Sequence, residues 1–196
     1  MSLDFLKQPS RSAALVGGDL PPFVVNALCL ALLGTACALA SLVFACAAPF
    51  AAFATVAAAM LPLRSALFTT GAAWLINQAI GFGILNYPID ANTIAWGGVI
   101  LAAALGGAVA ACFVLHNTRG NSVVAPAMAF VAAFTAYELL LLAATPLLGG
   151  HEALAPVVVA RIAGLNLVWF LALVVTAQIM RMGIRLRIRP DALVRR

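Results

Sequence analysis

The sequence predicts an all-α membrane protein, a bundle of six transmembrane helices with a short second helix and both termini in the cytoplasm. Of its 196 residues, 65% are hydrophobic and 9% are charged, and the mean hydropathy is +1.10. Soluble domains carry roughly 25% charged residues. This composition, six apolar runs and the placement of the basic residues between those runs together indicate the fold class.

The six apolar runs correspond to the predicted helices. A membrane-spanning helix needs about 20 apolar residues, with a range of about 17 to 25. The second run is marginal because Pro49 and Pro62 bracket it, so it is either a tilted short span or a re-entrant hairpin. The runs cover residues 24–47, 48–63, 65–86, 94–115, 122–148 and 156–180.

The basic residues fall in alternate connections between the predicted helices, which all lie on the same side of the membrane in a six-span topology. Lys7 and Arg11 precede helix one, Arg64 lies between helices two and three, and Arg119 lies between helices four and five. Six arginines follow helix six, whereas the other three connections contain no Lys or Arg. Lys and Arg accumulate in cytoplasmic loops, so both termini are predicted to lie in the cytoplasm.

This pattern divides the chain into three parts. We predict a cytoplasmic N-terminal segment at residues 1–22, a six-helix membrane domain at 23–181 and a basic cytoplasmic tail at 182–196. The N-terminal segment has no long apolar core, so it does not resemble a cleavable signal peptide. The arginines of the tail can bind anionic lipid headgroups, each contributing about 1 kcal/mol. Nucleic acid is not a predicted partner, because no aromatic residues interleave these arginines.

No catalytic motif is present in the sequence. It lacks HExxH, a Walker A loop and any cluster of histidines. The four cysteines lack CxxC or metal-ligand spacing, so we interpret them as small buried side chains. We therefore predict that the protein is not an enzyme and has no resident cofactor or metal.

Two ionisable residues lie inside the apolar runs. Glu138 lies about 15 Å below the outer end of helix five, and Arg161 lies about 8 Å below the outer end of helix six. A charged group at the bilayer centre costs about 2.5 to 3.5 kcal/mol, so both residues need an explanation. They form either a structural ion pair or contacts to a ligand.

Three side-chain amides occur at a similar depth in the outer half of the bundle. Asn77 and Gln78 belong to helix three, and Asn166 of helix six reaches about the depth of Glu138. Interhelical hydrogen bonds, at about 0.6 kcal/mol each on average, are one explanation for them. Contacts to a bound solute are the other.

Residues 77–98, NQAIGFGILNYPIDANTIAWGG, form a predicted helix, loop and helix corner on the outer side. Its aromatic residues, with Trp74, can line a pocket, although Tyr87 and Trp96 also suit an interfacial aromatic belt. Asp90 suits a turn or an N-cap for a helix that begins near Ile94. The full set of predicted substrate-binding residues is Asn77, Gln78, Phe82, Tyr87, Asp90, Trp96, Glu138, Arg161 and Asn166.

Small residues recur at four-residue spacing in helix one. The pairs are Ala27 with Ala31, Gly34 with Ala38 and Ala36 with Ala40. Such faces allow another helix to approach closely. The approaching helix belongs either to the same bundle or to a partner protein.

Together these features resemble the substrate-binding S-components of energy-coupling factor (ECF) transporters, which are bacterial vitamin and metal uptake systems. The shared features are six spans in under 200 residues, both termini inside, small-residue faces on helix one and a polar pocket that opens outward. The passage from Asn77 to Gly97, with its NQ, GFG, YP and WG elements, resembles the vitamin B12 S-components in particular.

The resemblance implies a protein of the bacterial inner membrane that takes up a small water-soluble nutrient, with cobalamin or another corrinoid as the favoured ligand. The whole protein would topple in the membrane, driven by partner ATPases through a transmembrane coupling protein that contacts helix one. Some cobalamin-binding members offer a cysteine to the cobalt near the end of helix three. This chain has Ile80 and Ile84 there, so a thiolate ligand is not expected.

Two other functions remain open from the sequence. One is an ion-driven secondary transporter or exporter with Glu138 as the proton carrier. The other is a structural or assembly subunit of a larger membrane complex, in which the polar residues hold the helices together.

Overall fold

A computed structural model describes residues 21–44, 48–118 and 124–188, and these residues fold into six α-helices. A single turn of 3-10 helix, His151–Leu154, lies before the last helix. The described ranges contain no strand, so the predicted all-α fold class is confirmed. The helices are α1 (Pro22–Phe44), α2 (Phe50–Met60), α3 (Leu63–Gly83), α4 (Ala91–Asn117), α5 (Val124–Leu148) and α6 (Pro156–Ile188).

Four of these helices are long and apolar enough to cross a membrane. They are α1, α4, α5 and the part of α6 from Pro156 to Met180. Helix α3 has 21 residues, about 31 Å, but Arg64, Asn77 and Gln78 make it less apolar. The structure therefore supports a helical membrane protein by helix length and composition.

Helix α2 forms the centre of the bundle. It has 11 residues, of which ten are buried, and it contacts all five other helices. At 1.5 Å per residue it is about 16 Å long, roughly half of the 30 Å hydrocarbon core. Pro49 precedes its first residue and Pro62 follows its end, as the sequence predicts. At least one end of α2 therefore lies inside the bundle.

Two hydrogen bonds show that α1 and α3 run parallel. The Cys37 thiol donates to the carbonyl oxygen of Ala73, and the Asn77 amide donates to Ser41 Oγ, both across 36 residues of sequence. A re-entrant hairpin at residues 48–63 would return the chain to the same side and make α3 antiparallel to α1. The second segment is therefore a short span.

The remaining helices surround α2 in the order α1, α3, α4, α5 and α6. Helices α4 and α5 pack most closely, since a Cβ atom added to Gly107 would lie 3.1 Å from the carbonyl oxygen of Ala133. The backbones of α5 and α6 barely approach each other. Instead, the stacked rings of Phe130 and Phe170, with centroids 4.9 Å apart, join these two helices.

Parts of the two predicted terminal segments lie outside the described residues. These parts are residues 1–20 of the N-terminal segment and residues 189–196 of the tail. Residues 182–188 of the predicted tail continue α6 as helix. The three-part division and the binding of lipid headgroups by the tail remain predictions.

The small residues predicted to form one face of α1 differ in their exposure. Ala27 and Ala31 are exposed and Ala38 is partly buried. Gly34 is buried, and a Cβ atom there would lie 3.2 Å from Cδ1 of Ile76 on α3. Gly34 therefore allows α1 to pack closely on α3 within the bundle, whereas Ala27 and Ala31 lie on an exposed surface of α1.

Candidate functional site

The C-terminal end of α3 is closed by the residues that follow it. Asn86 has a positive φ of 54°, a conformation that Asn tolerates better than most residues. The chain then turns back, so that the backbone N–H of Tyr87 donates to the carbonyl oxygen of Gly81 at 3.0 Å. The rings of Phe82 and Tyr87 meet edge to face with centroids 6.2 Å apart. Two of the predicted site residues are therefore in contact.

Gly81 has no side chain because the Tyr87 ring occupies that space. A Cβ atom on Gly81 would lie 2.6 Å from two ring carbons of Tyr87. We expect Gly81→Ala to lower the unfolding free energy in detergent by about 1 to 3 kcal/mol, because overpacking displaces the ring. In a Tyr87→Leu background the same change should cost much less. Equal costs in the two backgrounds would show that the ring is not seated on Gly81.

Asp90 is the N-cap of α4. Its carboxylate accepts a hydrogen bond of 2.8 Å from the backbone N–H of Thr93, and the helix begins at Ala91 rather than near Ile94. The N–H of Thr93 holds the pKa of Asp90 below its usual value. Because the folded pKa lies below the unfolded one, this stabilisation is present at neutral pH and is lost as the pH falls through the folded pKa. Asp90 thus has a structural role at the helix terminus.

Trp74 and Trp96 contact the chain on two sides of the N-terminal part of α4. Trp74 Nε1–H donates to the carbonyl oxygen of Gly97 at 2.9 Å. A Cβ atom on Gly97 would lie 3.2 Å from Oε1 of Gln78, so this glycine leaves room for the amide. Trp96 covers the turn after α5, because a Cβ atom on Gly150 would lie 3.5 Å from its ring.

The amides of α3 are engaged within the bundle. Asn77 is 6% exposed, and its Nδ2 donates to Ser41 Oγ at 2.9 Å. Its Oδ1 accepts from Nε2 of Gln78 at 3.4 Å. Ser41 was not singled out from the sequence, where the only signal is a hydroxyl in an apolar run. These contacts confirm the interhelical alternative for Asn77 and leave a ligand contact as a prediction.

Asn166 stabilises the N-terminus of the central helix. The first N–H groups of a helix have no partner within the helix, and the N-cap residue of α2, Pro49, supplies no side-chain acceptor. Oδ1 of Asn166, which is 1% exposed, accepts from the backbone N–H of Ala52 at 3.1 Å. Its Nδ2 donates to the carbonyl oxygen of Ile162 at 3.0 Å. An amide on α6 therefore replaces the missing cap of α2.

Glu138 has no such partner. It is partly buried on α5, and its Oε1 is buried without a hydrogen-bond partner in the described part of the chain. Arg161 is exposed on α6. The ion pair between Glu138 and Arg161, one of the two alternatives from the sequence, is not formed, because α5 and α6 do not pack closely at the backbone. Glu138 thus retains an unused acceptor inside the bundle.

The contacts divide the predicted site residues into several groups. Asn77 bonds to Gln78, and Phe82 contacts Tyr87, whereas Asn166 bonds to α2 and to its own helix. Among the residues that the structure describes, no group of three or more His, Cys, Asp or Glu side chains could hold a metal ion. Two buried side-chain oxygens of the described residues, Oγ1 of Thr70 and Oε1 of Glu138, have no hydrogen-bond partner, and Glu138 is the ionisable one of the two.

Comparison of the chain with protein-family models, curated proteins and solved structures found no match. The resemblance to the S-components of ECF transporters therefore stays a prediction. The described residues form a bundle in which four helices are long and apolar enough to cross a membrane, the short central helix receives a cap from Asn166, and Glu138 is partly buried.

Proposed function

We propose that the protein binds a small water-soluble solute from the outer side of the membrane and mediates its uptake, with Glu138 at the binding site. The observation that carries this proposal is the buried Oε1 of Glu138, which has no partner in the described residues. An ionisable group within a membrane bundle is costly, and such groups mark substrate or ion pathways. If Glu138 had only a structural role, its Oε1 would be expected to accept a hydrogen bond from another residue of the bundle.

The central helix supports the same proposal. Non-helical backbone at membrane depth occurs where it is buried in protein or lines a water-filled cavity. Ala48 and Pro49, just before α2, are buried and outside any helix. Transporters commonly use interrupted helices of this kind near their substrate sites. A short α2 within the bundle is therefore consistent with a transport protein.

The proposed ligand is cobalamin or another corrinoid, and the proposed location is the inner membrane of a bacterium. Support for both comes from the resemblance of residues 77–97 to vitamin B12 S-components. Support for the orientation comes from the basic residues, which lie on one side in a six-span topology. An ECF coupling protein with its ATPases would contact the exposed face of α1, where Ala27 and Ala31 lie.

We expect Glu138→Gln to reduce the binding and uptake of radiolabelled cyanocobalamin by proteoliposomes by about fivefold to tenfold. Glutamine keeps an acceptor oxygen but loses the negative charge, and hydrogen bonds to charged groups, worth about 1.5 to 3 kcal/mol, are stronger than neutral ones, worth about 0.5 to 1.5 kcal/mol. Glu152→Gln is the matched control, because Glu152 is exposed in the 3-10 turn outside the bundle. Equal binding by the two variants would argue against Glu138 as the site.

A second measurement does not depend on the ligand. Dicyclohexylcarbodiimide modifies protonated carboxyl groups in apolar surroundings, so it should label Glu138 and spare Glu152, as read by mass spectrometry. If Glu138 is labelled but no corrinoid binds at micromolar concentration, the corrinoid is wrong and the site stands. Uptake that stops with an uncoupler but survives depletion of ATP would favour the ion-driven transporter.

A structural or assembly subunit is the second candidate function. The hydrogen bonds of Asn77 to Ser41 and of Asn166 to Ala52 favour it, because they use polar side chains to hold helices together. Purification that always retains the same partner subunits, with no ligand binding and no labelling of Glu138, would support this candidate.

A further inference from the structure

Helix α6 is attached to the bundle along one narrow stripe. Its buried residues are Asn166, Phe170, Leu173 and Ala177, which recur on one face at intervals of three or four. In the described residues, the main close backbone contacts of α6 are with α2 and with the preceding 3-10 turn. The other residues of α6 from 156 to 180, together with residues 182 and 183, are exposed or partly buried.

A groove of about 380 Å³ separates α6 from α1. Leu39 and Thr35 of α1 lie on one wall, and Trp169 and Thr176 of α6 lie on the other. On its opposite side, α6 meets α5 through the Phe130 and Phe170 rings. Neither lateral neighbour therefore holds α6 by close helix packing.

The connection from α5 to α6 contains a pair of unusual glycines. Gly149 and Gly150 have φ values of 80° and 83°, and they are the glycines with positive φ in the described chain. Nothing lies within 4 Å of the position of a Cβ atom on Gly149. Glycine moves between backbone conformations more freely than other residues, so this turn can act as a hinge.

One polar contact fastens α6 to the centre of the bundle. It is the hydrogen bond from the Ala52 N–H of α2 to Oδ1 of Asn166. In lipid, apolar helix faces have no hydrophobic drive to associate, so interhelical hydrogen bonds and van der Waals packing hold a helix in place. Asn166 is therefore the specific element of an otherwise apolar contact.

We propose that α6 is a gate, hinged at Gly149 and Gly150 and latched by the hydrogen bond between Asn166 and Ala52. When the latch opens, α6 moves away from α2, the groove beside α1 widens, and the first turn of α2 becomes accessible. The gate rests on the proposed function in one respect, namely that its opening serves solute uptake. Its test measures a distance and uses no ligand, so the two proposals can fail separately.

The test is a distance measurement by double electron–electron resonance. Spin labels are attached at Ala31→Cys on α1 and Thr176→Cys on α6, after the native cysteines have been replaced. Both positions are exposed and line the groove. In the Asn166→Ala variant, a longer distance should gain about threefold in population, which corresponds to the loss of an average interhelical hydrogen bond in a membrane bundle.

A second pair of labels separates a gate from general loosening. Val109→Cys on α4 and Val131→Cys on α5 are exposed positions on the tightly packed helix pair. Their distance should be unchanged in Asn166→Ala. If neither distance changes, or if both change together, the gate is overturned. Asn166→Leu, which fills the buried site but offers no acceptor to the N–H of Ala52, is the second variant, and the same outcomes decide the question if Asn166→Ala does not fold.

Discussion

Replacing Gly107 by leucine is expected to force α4 and α5 apart and to destabilise the bundle by about 2 to 3 kcal/mol. The position of a Cβ atom on Gly107 is 3.1 Å from the carbonyl oxygen of Ala133 and 3.7 Å from two further backbone atoms of that residue. Backbone atoms cannot rotate away as a side chain can, so the whole helix must move. The measurement is the unfolding free energy of the purified protein in mixed detergent micelles.

Two other glycines of α4 provide controls for Gly107→Leu. Gly98 is exposed and has no atom within 4 Å of its Cβ position, so Gly98→Leu should leave the unfolding free energy nearly unchanged. Gly106 faces Cδ1 of Leu140 at 2.7 Å, and this flexible side-chain end can shift. Gly106→Ala should therefore cost less than Gly107→Leu. Because leucine favours a helix more than glycine does, a cost for Gly98→Leu as large as that for Gly107→Leu would show that the contact with Ala133 is not the cause.

The helices could be predicted from the sequence because lipid imposes a strong constraint on their length and composition. Apolar runs and the bracketing prolines Pro49 and Pro62 identified all six, and α6 begins at Pro156 as predicted. The start of α4 is predicted too late, near Ile94, because Asn92 and Thr93 are residue types that suit a turn. Asp90 caps the helix directly before Ala91, which brings those residues into its first turn.

The site could be predicted only in part, because its key partners are backbone atoms. Counting residues from the helix ends placed Asn77, Glu138 and Asn166 at a common depth. Depth does not determine which neighbour a side chain faces. Asn77 turns toward Ser41 of α1, and Asn166 finds a backbone N–H of α2. No pattern in the sequence identifies a helix end that needs a cap from another helix.

Replacing Asn166 by leucine is expected to lower the unfolding free energy by about 1 to 3 kcal/mol. Leucine has a similar size and fills the buried site, but it offers no acceptor to the N–H of Ala52, and an unsatisfied buried N–H carries that cost. Loss of an N-cap alone costs about 0.5 to 2 kcal/mol. The thermal unfolding midpoint in detergent should fall accordingly, and the first turn of α2 should exchange its amide hydrogens faster.

Gln178→Leu is the matched control for Asn166→Leu, because it makes the same type of change at an exposed position of the same helix. It should leave both the unfolding midpoint and the exchange at Ala52 unaltered. If Asn166→Leu is as stable as the parent, water or backbone adjustment satisfies the N-terminus of α2, and Asn166 becomes available to a ligand. If it is less stable and exchange rises only in the first turn of α2, the amide acts as the cap, which is the condition that a latch on α6 requires.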